Sequence, residues 1–343
     1  MRVFVTGGSG FIGTSLVENL LGCGATVMNF DRVPPHDVAH QSCWQRGNIL
    51  DASELSTALQ DFAATHVVHL AARADLDESG TVADYPENIG GVSNLLAAVQ
   101  STPSVERLIV TSTQLVCQPG HWPKHDEDYS PNTIYAESKI VTERLTRQAD
   151  PTCVWTIIRP TNIWGPRHPR HGAQFFSLLK RGLYWHPRGR SARRCWGYVD
   201  NVAFQIRRLL ELPPDKVHRQ VLYVGDAAFD LVDWVNAVSM RLTGRPAKRA
   251  PRSLLYLAAL AGEVLQRCGA KAPLSILRYK AMTEDYLTPI QRTLDLVGPA
   301  PYSMEQGVEE ALRSYAGRGV ASTTVAAKDR DSEREAEMTV SGR

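Results

Sequence analysis

The chain has 343 residues, is 43% hydrophobic and carries a formal net charge of +2; length and composition allow a large core with a second lobe beside it. No apolar run approaches the ~18–20 residues that span a bilayer, and a strand starting at Arg2 leaves no room for a leader, so a cytoplasmic protein is expected. The near-neutral balance argues against nucleic acid as a partner. Six cysteines without metal-ligand spacing (Cys23, Cys43, Cys117, Cys153, Cys195, Cys268) read as reduced thiols, and no metal is expected.

The first predicted element is the apolar strand Arg2–Thr6, which runs straight into Gly7-x-x-Gly10-x-x-Gly13. This spacing describes a dinucleotide-binding turn. Gly7 lets the chain leave the strand sharply, Gly10 lets backbone approach a pyrophosphate, and Gly13 lets the next helix pack close. The helix over Gly10–Leu21 then offers the unpaired N–H groups of Phe11, Ile12 and Gly13 to the phosphates. A second strand, Thr26–Phe30, ends at Asp31, where a carboxylate can accept hydrogen bonds from an adenosine ribose. Asp31 favours NAD over NADP by repelling a 2′-phosphate, although the adjacent Arg32 could grip one.

Strands at His66–Leu70, Leu108–Thr111 and Val154–Arg159 alternate with helices near Ser53–Ala63, Asn88–Gln100 and Tyr135–Ala149. The pattern predicts an α/β fold, a Rossmann-like doubly wound parallel sheet, with a smaller C-terminal substrate lobe. Residues 1–160 form the cofactor domain, joined by a returning strand at Val221–Val224 and a helix near Leu231–Arg241 within 199–240. Residues 161–198 and 241–316 form the lobe, and the polar stretch 317–343 is expected to be disordered.

The candidate chemistry lies on the helix that begins at Tyr135-Ala-Glu-Ser-Lys139. Four residues is about one turn, so Tyr135 and Lys139 share a face. A free tyrosine, with a pKa near ~10, is too weak a base at neutral pH, and a nearby ammonium should lower that value. Thr113, less favourably Ser112, ends the preceding strand at the sheet edge where ligands of such folds bind, and can hold the reacting oxygen. Between Pro151 and Val199 there is no Asp or Glu, while Arg159, Arg167, Arg170, Lys180, Arg181, Arg188, Arg190, Arg193 and Arg194 all fall there. That run predicts an anionic ligand. A second basic run, Arg241, Arg245, Lys248, Arg249 and Arg252, precedes Leu254–Ala261; a buried lobe helix is the favoured reading, and weak contact with an anionic membrane surface is the alternative.

Taken together, Thr6-Gly7-x-x-Gly10-x-x-Gly13, Asp31, Asn48-Ile49, His69-Leu70-Ala71-Ala72, Asn88, Thr111-Ser112-Thr113, Tyr135-x-x-x-Lys139, Arg159-Pro-Thr-Asn162-Ile-Trp-Gly165-Pro166 and Gly197-Tyr-Val-Asp200 resemble an extended short-chain dehydrogenase/reductase of the NAD-dependent epimerase/dehydratase family, which modifies nucleotide sugars. The likeness runs from Met1 to about Tyr315. It implies that Thr113, Tyr135 and Lys139 are catalytic, with the last two also touching NAD. It further implies that Asn48 and Ile49 meet the adenine, and that Leu70, Ala71, Ala72 and Asn88 line the cofactor cleft. Arg73, Thr113 and Asn162 would contact substrate, and Arg194 would clamp its diphosphate. In the resembling family the helices at Asn88–Gln100 and Tyr135–Ala149 pair into a homodimer, for which Leu95, Leu96, Val99, Ile140 and Leu145 offer apolar faces.

Departures narrow the activity. Sugar 4,6-dehydratases and glucuronate decarboxylases of this kind carry an acid just after the catalytic Thr, whereas this chain has Gln114 and Leu115. Position 48 is Asn rather than Asp, and Cys117 stands where Tyr is usual. The reading is therefore a 4-epimerase or 4-keto reductase of a nucleoside-diphosphate sugar. The alternatives are a hydroxysteroid-dehydrogenase-like oxidoreductase, which the C-terminal third resembles, and a non-catalytic NAD-binding regulator.

Overall fold

The computed structural model describes residues 1–75, 80–168, 173–267, 272 and 274–316. Arg170, Cys268 and the stretch 317–343 lie outside the described residues. Strands β1 (Arg2–Thr6), β2 (Thr26–Asp31), β3 (Trp44–Arg46), β4 (His66–His69), β5 (Arg107–Thr111) and β6 (Val154–Pro160) join a seventh strand, Gln220–Val224, in one parallel sheet. The order is seventh–β6–β5–β4–β1–β2–β3. Strand β3 was not expected from the sequence: three residues, of which none is buried, carry no alternation to read.

Side chains of β1 alternate between the two faces of the sheet. Val3 and Val5 join a core with Leu16, Val17 and Leu20 of helix α1 (Phe11–Gly22) and with Ile206, Leu209 and Leu210 of helix Val199–Glu211. Phe4 faces the opposite core, built by Leu55 and Leu59 of α2 (Ala52–Asp61) and by Leu95, Leu96 and Val99 of α3 (Val92–Gln100). Helices thus cover both faces. The expected helix at Asn88 begins earlier, as a π-helical turn over Glu87–Gly91 that leads into α3.

Burial of Leu95, Leu96 and Val99 inside the protomer corrects an expectation. These side chains, with Ile140 on α4 (Ile134–Ala149), are covered by their own chain, and of the five apolar residues named for pairing Leu145 alone is partly exposed.

After β6 the chain builds three small ribbons. Asn162–Trp164 pairs with Trp196–Tyr198, Trp185–Pro187 with Lys248–Ala250, and Arg193–Arg194 with Phe229–Asp230. Helix Leu231–Thr243 stacks Trp234 on Phe175 at 5.3 Å. Among the described residues no helix is long and apolar enough to cross a membrane.

Candidate active site

At the carboxyl edge of the sheet the glycine turn and β2 enclose a cleft of about 280 Å³, lined by Gly7, Gly10, Asp31, Arg32, Ile49, Leu70, Ala71, Ala72 and Glu87 among others. Gly7 adopts φ +75°, and a Cβ there would meet the Ala71 nitrogen at 2.6 Å. Gly13 is equally constrained: a Cβ would strike the Gly7 carbonyl at 2.2 Å, so only glycine brings α1 this close to β1. The first intrahelical bond of α1 is Thr14 N–H to the Gly10 carbonyl at 2.9 Å, leaving the N–H groups of Phe11, Ile12 and Gly13 for a phosphate. The Phe11 side chain itself turns away, edge-on to His168.

Asp31 accepts from the N–H groups of Ser9 and Val33, each at 3.0 Å and on different oxygens, which fixes the carboxylate and leaves a lone pair on each for a ribose hydroxyl. Arg32 faces Glu87 across the cleft at 3.4 Å. It is therefore engaged, and the second Glu87 oxygen is buried with no partner among the described residues. Two carboxylates at this end of the cleft disfavour a 2′-phosphate. Glu87 was not singled out from the sequence, because nothing local marks a carboxylate on a π-helical turn as facing a cleft.

Several expected cofactor or substrate contacts do other work. Asn48 is not in the cleft wall, where Gly47 and Ile49 stand instead; its side-chain Oδ1 accepts from Leu50 N–H at 3.1 Å, a local turn that holds it aside. Asn88 is fully buried, bonded to both main-chain groups of Arg73 at 3.0 Å and to Ser138 Oγ at 2.9 Å. It positions the 71–75 segment against α4 rather than meeting a ligand. Arg73 holds Asp75 at 2.9 Å, donates to the Asp84 carbonyl and lies 4.8 Å from the Tyr85 ring centroid, so its guanidinium is spent on the protein.

Thr113 lies just past the end of β5, where its Oγ1 accepts from Leu115 N–H at 3.3 Å, and its side chain faces the Tyr135 phenol in the first turn of α4. Tyr135 borders the Tyr85 ring at 6.2 Å. Lys139 follows one turn later with 2% of its surface exposed. The expected lowering of the phenol by the ammonium is not met. Burial pushes Tyr135 up to about 12, opposed by the facing Thr113 side chain, while burial also draws Lys139 down to about 8 against the pull of Glu143. Desolvation of two groups in one enclosed site outweighs their mutual help. His69, beneath them, is held down to about 3 by burial and then by the Lys139 charge, so it is neutral. Its Nδ1 is 2.7 Å from Thr6 Oγ1.

Ser112 is not available to a ligand: it donates to Glu143 at 2.6 Å. Glu143 also receives Arg159 at 2.8 Å through each oxygen, Tyr129 at 2.9 Å and Arg147 at 3.2 Å. The acid-free run 151–199 is thus compensated in part from elsewhere in the chain. Arg159 pairs with Glu143, Arg190 with Asp285, and Arg167 with Glu18 at 3.5 Å. Arg194 differs. It is buried, donates to the Ala281 carbonyl and forms no ion pair among the described residues; burial lowers its pKa, with Asp285 and Glu284 opposing at a distance. Asn162 is half-buried on its ribbon beyond β6.

A glycine-turn cleft with acidic residues at one end, and Thr113 past the end of β5 with Tyr135 and Lys139 on α4, agree with the family model that matches residues 3–225, NAD dependent epimerase/dehydratase. The chain belongs to the NAD dependent epimerase/dehydratase family. NAD is the cofactor of this family, and the residues of the cleft fit it: the glycine cradle, the free N–H groups of α1 and the Asp31 carboxylate.

Two relatives of different chemistry are similar to the chain. The chain is 32% identical over 243 residues to a 3β-hydroxysteroid dehydrogenase/Δ5→4-isomerase of Mycobacterium tuberculosis, covering 66% of this chain and 65% of the relative, so the match spans less than two thirds of that relative's length. It is 27% identical over 322 residues to an N-acetyl-α-D-glucosaminyl-diphospho-ditrans,octacis-undecaprenol 4-epimerase of Escherichia coli O157:H7, covering 91% and 94%. The fold is that of the UDP-glucose 4-epimerase of Thermus thermophilus, solved with NAD, at a TM-score of 0.66 and 23% identity over 92% of this chain and 99% of that one.

Proposed function

We propose that the protein is an epimerase or 4-keto reductase acting on a sugar carried on a diphosphate. The observation that carries this reading is Arg194: a buried guanidinium whose hydrogen-bond partner among the described residues is a neutral carbonyl, on a strand bridged to Tyr286, whose hydroxyl in turn donates to the Cys117 carbonyl, four residues past Thr113, at 2.8 Å. A buried cation without a carboxylate is costly unless an anion completes it. The near full-length similarity to an epimerase of a diphosphate-linked sugar supports the same class.

When bound, NAD supplies the hydride acceptor and donor at the sugar carbon. Tyr135 takes the proton of the sugar hydroxyl and returns it, and Thr113, facing the phenol, orients the same oxygen. Because burial keeps Tyr135 protonated at neutral pH, the positive charge of Lys139, one turn along α4, is needed to favour the phenolate as the proton moves. Among the described residues no carboxylate reaches Thr113. Glu143, beneath the same strand end, is occupied by Arg159, Arg147, Tyr129 and Ser112, which disfavours dehydration or decarboxylation.

The 32% identity to a hydroxysteroid dehydrogenase favours a second reading, in which the same Tyr135 and Lys139 oxidise an apolar secondary alcohol. Binding separates the two. On the sugar reading, UDP or GDP binds, binding fades with salt, and Arg194→Ala weakens it by about 1.5–3 kcal/mol, the scale of a charge-assisted hydrogen bond, with NAD affinity unchanged. Competition by UDP-sugars or by polyprenyl-diphosphate sugars then identifies the carrier. Binding of a 3β-hydroxysteroid that ignores both Arg194 and salt would replace the first reading with the second.

A further inference from the structure

We propose that the outer face of helix Arg252–Arg267 docks the protein on an anionic lipid bilayer. The structure overturns the expectation that this helix is buried. Its inward edge is narrow and made of Leu255, Ala259 and Gly262; a Cβ on Gly262 would strike the Leu274 carbonyl at 1.9 Å. That close seat is filled mostly by small residues, so the large apolar ones point outward. Leu254 is 58% exposed, Leu257 62% and Val264 60%, and Leu277 on the adjoining helix Ile276–Thr283 is 78% exposed.

Residues 254, 257, 261, 264 and 265 recur every three or four positions and form one stripe, about 16 Å long at the rise of an α-helix. This is too short to span a bilayer but suited to lying in its interface. An unpartnered apolar stripe of this kind marks a binding surface on a folded protein.

Charge selects the occupant. Between Trp234 and Thr283 the chain has nine Lys and Arg and one carboxylate, Glu263. Exposed Lys248, Arg249 and Arg252 lead into the helix, and Arg252 is tied to the carbonyls of Arg188 and Arg190. The ribbon that carries Lys248 pairs with Trp185–Pro187, and Lys248 lies 5.3 Å from the centroid of the exposed Trp185 indole, a side chain suited to the headgroup layer. A second copy meeting this face across a two-fold axis would oppose cation to cation, whereas anionic headgroups complement it. The face adjoins helix Ile276–Thr283, to whose Ala281 carbonyl the buried Arg194 donates.

The test is co-sedimentation of the full chain with vesicles of phosphatidylcholine alone or mixed with phosphatidylglycerol. The protein should partition onto the mixed vesicles, and high salt should release it. Lys248→Glu with Arg249→Glu should weaken partition by about fivefold per cation. Leu257→Asp with Leu265→Asp should weaken it by about tenfold or more, with NAD affinity and melting temperature unchanged because both side chains are exposed; if that pair lowers the melting temperature, Leu257→Ser replaces it. No partition, or equal partition onto neutral vesicles, overturns the proposal. So does self-association of the wild type that Leu257→Asp abolishes, which would assign the face to a second copy.

Discussion

Arg159 Nε and Nη2 each lie 2.8 Å from a different oxygen of Glu143, a two-pronged ion pair in which both side chains are at most 1% exposed. It sits beneath the strand end that carries Thr113, with Ser112 bonded to the same carboxylate. Burial alone would push the Glu143 carboxyl up, but the Arg159 hydrogen bonds and charge hold it below its ordinary value. Glu143→Leu leaves a buried guanidinium unpaired and should destabilise the fold by about 3–5 kcal/mol, as should Arg159→Met, while the double variant recovers most of the loss. Urea unfolding of the three variants measures this. Additive losses would mean that the two residues act independently.

Cofactor choice should depend on the acidic end of the cleft. NAD should bind more tightly than NADP, and both Asp31→Ala and Glu87→Gln should narrow the difference, by roughly tenfold each. Glu87→Gln also frees Arg32 for a 2′-phosphate, so its effect should appear mainly as gained NADP affinity. Calorimetry with both cofactors distinguishes these contributions, and a preference for NADP in the wild type would refute the assignment.

Tyr135→Phe removes one hydroxyl and little packing. It should lower turnover by about 10²–10⁴ while NAD affinity stays within a factor of about two. Formation of reduced cofactor on addition of substrate reads this directly. Activity close to wild type would place the proton acceptor elsewhere.

Lys139 makes stability depend on pH. Its folded pKa, drawn by burial to about 8, is below that of the unfolded chain. Between pH about 8 and 10 the unfolded state therefore binds more protons than the folded one, and stability should rise with pH by about 2–3 kcal/mol across that window. Below it, both states are protonated and the full cost of burying the charge is present. Lys139→Met should lack this rise, so that the stability difference between the two proteins changes across the window. Equal slopes in both proteins, followed by urea midpoints, would show that Lys139 keeps an ordinary pKa.

The parts of this protein that are local in sequence were legible before folding. A glycine every third residue after an apolar strand describes one turn, and the unbroken apolar run Val3–Val5 reads as a buried strand. Tyr135 and Lys139 are four apart and meet on any helix. Whether a charge is free, and whether an apolar residue is covered, depend on what the closed fold brings near. Arg159 reads as an anion ligand until Glu143, 16 positions away, arrives beside it. Arg190 finds Asp285 from 95 positions away. Arg73 and Asn88 satisfy one another's neighbourhood instead of meeting a ligand, and Glu87 enters the cleft on a turn that no pattern marks. The helix at Arg252–Arg267 has the composition of a buried element and the exposure of a surface one, because Gly262 and Ala259, not its leucines, form most of the seat. Local periodicity is written in neighbouring residues, whereas ion pairing and burial are properties of contacts across the chain, and only the tertiary structure decides those.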